Sequence, residues 1–161
     1  MNVIVILVIY AVLLFLLAFF SKRRFGVLGL ALAAGYVLQR LWESEFPAWA
    51  ANLSFLGDWV ISPLTVVSLL VLLTPSLLLI FGGPVYKGLL GRILGSLLYS
   101  LLAVLFGIGA LSGLMDLSGS SRQFFDVVML NRDYILTGAL IVAVIDVMHS
   151  RLSGFGSIKK K

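Results

Sequence analysis

The sequence predicts an all-α polytopic membrane bundle of five transmembrane helices, and three observations carry that prediction. Of the 161 residues, 61% are apolar and only 12% are charged, against about 45 to 50% and about 25% in soluble chains. Too few charges exist to coat a water-soluble globule. The apolar residues are gathered into runs, and a membrane span needs ~20 of them to cross ~30 Å of hydrocarbon. The basic residues sit in short clusters between the runs, so the net charge of +5 reads as a topology signal. The expected partner is the lipid bilayer, and no nucleic-acid partner is expected. With no Cys and one His, disulfides, thiolate clusters and a conventional histidine metal site are excluded. Neither a metal nor a cofactor is expected.

Each run has its own signature. Residues 2–20 carry no charge and are followed, rather than preceded, by Lys22, Arg23 and Arg24. A cleaved signal peptide shows the opposite order, so this run is read as a retained helix. Residues 25–41 form a short second helix rich in small residues. Residues 60–81 form the third, with Pro63 tolerated in its first turn. Pro75 lies inside it and removes the bond to Val71, so a kink is expected near Thr74. Residues 88–115 form the fourth, which at 28 residues reaches ~42 Å and must tilt or protrude. The fifth run, 134–145, reaches only ~18 Å. It is expected to carry Asp146 into the membrane and to end near Ser150. Residues 1–152 thus form one transmembrane domain, and 153–161 a basic cytoplasmic tail too short to fold.

Charge sets the orientation. With the N-terminus outside and the C-terminus inside, Lys22, Arg23, Arg24, Lys87, Arg92, Arg151, Lys159, Lys160 and Lys161 lie inside, nine of the twelve basic residues. Glu43, Glu45, Asp58, Asp116, Asp126 and Asp133, six of the seven acids, lie outside with Arg40, Arg122 and Arg132. The inverted arrangement violates the positive-inside rule at every loop. Trp42, Trp49 and Trp59 mark the first outer loop, where Phe46, Trp49, Leu53, Leu56 and Val60 recur at helical steps behind Pro47. A short interfacial helix is expected there. A second is expected around Phe124, Phe125, Val128 and Met129.

Glycines mark the helix-packing positions. In the fourth helix Gly88, Gly91, Gly95, Gly109 and Gly113 share a sector of ~60°, with Gly107 outside it. In the second helix Gly26, Gly29 and Ala33 form a shorter stripe. Such stripes let helix backbones approach closely, either within one chain or between copies. The second and fourth helices are expected to touch through Gly26 and Gly29 on one side and Gly91 and Gly95 on the other. The heptapeptides 26–32 and 88–94 are alike at an offset of 62 residues, which a duplicated helical hairpin would explain.

Arg92 and Asp146 lie at similar depth on the same side and are expected to form a buried polar pair, with His149 three residues beyond the acid. A proton relay through Asp146 and His149 is the sharper alternative. Ser112 and His149 stand at opposite ends of their helices, roughly 20 Å or more apart, which excludes a serine hydrolase pairing. No phosphate loop, nucleotide fingerprint or hydrolase elbow occurs. No catalytic residue is therefore nominated, and a non-enzymatic protein is expected.

The basic turn Arg23-Arg24-Phe25-Gly26 leading into a glycine-containing helix, and Gly91-Arg92-Ile93-Leu94-Gly95 opening the fourth, resemble elements of the colicin V production protein (CvpA-like) family of bacterial inner-membrane proteins. The likeness spans roughly residues 5–130, in order and topology more than in identity. Gly91 stands where the family pattern has an acid, the loop between the third and fourth helices is shorter, and a fifth helix is present. The missing acid leaves Arg92 free to seek Asp146. The resemblance implies a scaffold or accessory in bacteriocin export or envelope homeostasis. The alternative is a small oligomeric transporter or channel for protons or small solutes. Partners expected in either case are further copies or other membrane proteins.

Overall fold

The computed structural model describes residues 3–52, 62–82, 84–86, 88–111 and 120–158. Within the described residues six α-helices follow one another: α1 (Val3–Ser21), α2 (Phe25–Leu41), α3 (Phe46–Ala51), α4 (Pro63–Ile80), α5 (Leu89–Leu111) and α6 (Ser120–Ile158), with a 3₁₀ turn at Glu43–Glu45. Among the described residues there is no strand, only one isolated antiparallel bridge between Arg23 and Val85.

Local chemistry explains most boundaries. α1 gives way to α2 through Lys22, a non-glycine residue at φ 58°, a left-handed conformation that reverses the chain within three residues. α4 starts at Ser62, whose hydroxyl oxygen accepts the Thr65 N–H at 3.3 Å, with Pro63 in the first turn, both favoured at helix starts. The helix then runs unbroken through Pro75. On either side of that proline the Thr74 hydroxyl donates to the Leu70 carbonyl at 2.6 Å and Ser76 to Leu73 at 2.9 Å. A short helix follows α2 as expected, α3, with Pro47 in its opening turn. Phe46 is buried, Trp49 packs on both Phe46 and Trp42, and the α2–α3 path bends by 59°. Leu53, Leu56, Trp59 and Val60 lie outside the described residues.

α6 departs from the sequence reading. It is one helix of 39 residues, about 58 Å long at ~1.5 Å per residue. The expected separate helix around Phe124 is its opening turns, and the stop near Ser150 and the unfolded tail give way to helix as far as Ile158. Two of its polar residues are satisfied within their own turns. Asn131 donates to the Val127 carbonyl at 2.9 Å and Thr137 to the Asp133 carbonyl at 2.7 Å, so they do not interrupt the helix. No proline interrupts 120–158, and a glycine costs a helix only about 1 kcal/mol.

Pro63–Ile80, Leu89–Ile108 and Asp126–His149 are each long and apolar enough to cross a membrane, and Phe25–Leu41 with Glu43–Ala51 makes a fourth if the bent pair is one span. Leu7–Ser21 is a shorter apolar helix. The core joins Leu14 and Ala18 of α1, Phe25 and Leu32 of α2, Leu72 of α4, Tyr99 and Leu102 of α5, and Ala143 of α6. The main neighbours are α2 with α4, α1 with α5, and α6 with α2. At the α2–α4 crossing, a Cβ on Gly35 would collide with the Leu72 backbone carbonyl, so only glycine permits that approach.

The repeated heptapeptide has a structural counterpart. On either side of the Arg23–Val85 bridge, the Arg24 N–H donates to the Pro84 carbonyl at 3.2 Å and the Tyr86 N–H to the Lys22 carbonyl at 2.9 Å. Exchanging residues 62 positions apart turns one of these bonds into the other. The same exchange turns the α2–α4 packing into the α1–α5 packing. The hairpins α1–α2 and α4–α5 are therefore related by an approximate two-fold passing through the bridge.

Candidate functional site

Four helix ends meet at the end of the bundle that carries this bridge: the C-termini of α1 and α4 and the N-termini of α2 and α5. Helix ends leave unpaired carbonyls at the C-terminus and unpaired N–H groups at the N-terminus, with matching partial charges. The side chains that gather here complement three of these ends in sign. Arg92 Nη2 donates to the Phe19 carbonyl in the last turn of α1 at 3.0 Å. Arg23 Nε donates to the Ile80 carbonyl that ends α4 at 2.8 Å.

α2 begins with Arg24 at the N-cap position, φ −72° and ψ 137°, and Arg24 supplies no side-chain cap. Asp146 of α6 supplies one instead. Its Oδ2 accepts the Gly26 N–H at 2.9 Å, and its Oδ1 accepts Arg24 Nη2 at 2.9 Å. The Tyr86 hydroxyl accepts the Phe25 N–H at 3.2 Å and donates to Asp146 Oδ2 at 3.2 Å. A carboxylate some 120 residues away thus performs the task of a local Asp or Ser cap. The Arg24 and Asp146 side chains are only 15% and 16% exposed. The Arg24 guanidinium also lies 5.3 Å from the centroid of the Tyr86 ring. Burial raises the Tyr86 pKa, the Phe25 N–H opposes that rise, and the charge of Asp146 reinforces it. The phenol consequently keeps the proton that it donates.

Glycines give this cluster its room, in a different pairing from the one the sequence suggests. The seam of Gly26 and Gly29 against Gly91 and Gly95 does not form. A Cβ on Gly26 would strike the Ala143 carbonyl and come within 2.8 Å of Val147 Cγ2, so this glycine admits α6, which places Asp146 over the start of α2. Gly91 and Gly95 receive the Tyr86 ring, to which their added Cβ atoms would come within 2.9 and 2.6 Å. Gly29 faces Phe25 and, on α5, Leu102. Gly88 has nothing within 4 Å of an added Cβ, and Gly107, outside the expected sector, lies against Tyr10. The surroundings of Gly109, and Gly113 altogether, lie outside the described residues.

The expected pairing of Arg92 with Asp146 does not form either. α6 packs on α2 and delivers the acid to Arg24, while Arg92 points across the α1–α5 contact, its guanidinium 4.6 Å from the centroid of the Phe19 ring. His149 is exposed on α6 and takes no part in the carboxylate cluster. Sequence reasoning missed Arg24 and Tyr86. The available signal was the start of α2, where residues 22–24 include no Ser, Thr, Asp or Asn and the free N–H groups therefore need an acceptor from elsewhere.

A second polar group lies toward the opposite end. Arg40 donates to the Tyr36 hydroxyl at 3.2 Å and contacts Glu43 at 3.4 Å, Arg132 lies 5.4 Å from the same ring, and Phe106 stacks on it at 4.8 Å. Between the two ends, Ser76 and Tyr99 share a buried hydrogen bond of 2.9 Å, and the Tyr10 hydroxyl is buried without a partner. Among the described residues, no three His, Cys, Asp or Glu side chains are grouped to hold a metal. No family model, no curated protein and no solved structure matches the chain.

Proposed function

We propose that the protein is a five-span integral protein of the bacterial inner membrane, N-terminus outside and C-terminus inside, that acts by association rather than by catalysis. On this reading it is a scaffold or accessory in bacteriocin export or envelope homeostasis, as the likeness to colicin V production proteins implies. The observation that carries it is the commitment of Asp146. Both carboxylate oxygens are occupied by donors that tie α6 and the loop before α5 to the start of α2. Such an acid holds helices together and is poorly placed to exchange protons with a substrate. α6 leaves Ile141, Val142, Val144, Ile145 and Met148 exposed, an apolar flank available to lipid or to another membrane protein.

The transporter or channel reading draws on one feature, the buried hydroxyls of Tyr10, Ser76 and Tyr99. Two experiments separate the readings. Reporter fusions after Lys161 and within 45–58 should report cytoplasm and exterior respectively, and an active exterior reporter at the C-terminus overturns the topology. Mass measurement of the detergent-solubilised protein should recover it with larger partners if it is a scaffold. A defined homo-oligomer favours the channel.

A further inference from the structure

Arg92 is a half-buried cation with no carboxylate partner among the described residues. Among the described residues the ion pairs are Arg24–Asp146 and Arg40–Glu43, and Asp146, the acid at this end of the bundle, is already occupied. Arg92 has the Phe19 carbonyl and the Phe19 ring face, which stabilise a positive charge without neutralising it. Its Nε is buried with no acceptor. A guanidinium offers five N–H donors in a planar fork suited to phosphate oxygens; with Nε buried and Nη2 on Phe19, the remaining Nη donors and the uncompensated charge give the side chain its capacity to take an anion.

Its surroundings say which anion. Arg92 lies in the first turn of α5 beside the last turn of α1, and Lys22, one residue beyond α1, is exposed at the same end. The two helices carry exposed apolar rows there, Leu16 and Phe20 on α1 and Leu89, Ile93 and Leu97 on α5. A charged head beside apolar rows matches a lipid better than a free ion, and basic positions between helices at the inner face of a membrane hold anionic headgroups. We propose that Arg92, assisted by Lys22, binds the phosphate of an anionic phospholipid whose acyl chains lie along these rows. The assignment to the inner leaflet rests on the topology proposed above. Binding itself does not, because an inverted chain would place the same site in the outer leaflet.

The test uses the full chain in a zwitterionic detergent. Thermal unfolding is followed with added phosphatidylglycerol, phosphatidylcholine or inorganic phosphate, for the wild type and for Arg92→Gln. Phosphatidylglycerol should raise the wild-type midpoint by several degrees in a saturable way, phosphatidylcholine should not, and Arg92→Gln should lose the increment. Equal effects of the two lipids, or an increment that survives Arg92→Gln, overturn the proposal. A full increment from inorganic phosphate at the same concentration overturns the lipid assignment in favour of a free anion. Should Arg92→Gln not fold, native mass spectrometry of the wild type decides: selective retention of phosphatidylglycerol from an equimolar mixture supports the site, and retention without preference sinks it. Neither failure bears on the reporter fusions, so the topology and the lipid site stand or fall separately.

Discussion

The hairpins α1–α2 and α4–α5 share a turn, a glycine pattern and an approximate two-fold, yet they use matching positions differently. Gly26 lies under α6, with the Ala143 carbonyl and Val147 against it, whereas Gly88, its counterpart 62 residues on, has nothing within 4 Å. Arg24 and its counterpart Tyr86 both reach Asp146, one as a charged donor and the other as a neutral one. Gly29 and its counterpart Gly91 each face a ring that starts about one turn earlier, Phe25 in one hairpin and Tyr86 in the other. The contrast teaches that α6 breaks the symmetry. One carboxylate, off the two-fold, holds a residue from each hairpin and caps the helix that follows only one of the two turns. Position within a repeat sets where a glycine lies, and the neighbouring helix sets what that glycine does.

The strongest way to break this comparison is to remove the acid. Asp146→Leu should cost about 3 to 5 kcal/mol, the usual penalty when one partner of a shielded ion pair is left behind, measured as unfolding free energy in detergent. Combining it with Arg24→Leu should recover part of the loss, whereas combining it with Arg92→Leu should be additive. Coupling to Arg92 and none to Arg24 would refute the arrangement.

Next in size is the pair of matched glycines. Gly26→Ala should destabilise by roughly 1 to 3 kcal/mol through overpacking against the α6 backbone, while Gly88→Ala should stay within about 0.5 kcal/mol of wild type. Equal effects would mean that α6 does not distinguish the hairpins.

Tyr86→Phe should cost about 1 to 2 kcal/mol, because the Phe25 N–H and one bond to Asp146 lose their partner. The pH profile sharpens this result. With the folded pKa raised above its ordinary 10.0, the contribution of the phenol is fully present below the ordinary value and is lost as pH rises through the folded one. The stability gap between wild type and Tyr86→Phe should therefore narrow only in alkaline solution, and a gap that narrows near neutrality would assign it to another group. His149→Gln, on the exposed side of α6, should be the mildest change, within about 0.5 kcal/mol. A large loss would bring the histidine back into the cluster.

Composition and periodicity determined by themselves that the chain is helical, apolar and arranged in lengths fit for a bilayer, because burying uncharged backbone in hydrocarbon leaves helices as the available solution for runs of this kind. They also determined the helical hairpins, the short helix at Phe46–Ala51, the offset of 62 residues, and Asp146 as the acid that needs a partner. Tertiary structure alone decided which partner. Periodicity gives the face on which Arg92 or Gly26 lies, but not which helix comes to rest there, and in this fold the uncapped start of α2 and the absence of a side chain on Gly26 drew α6 to that end. The same limit applies to α6 itself. Twelve apolar residues mark the driest part of a helix, whereas its length depends on Asn131 and Thr137 finding acceptors within their own turns, and hydropathy does not record such local bonds.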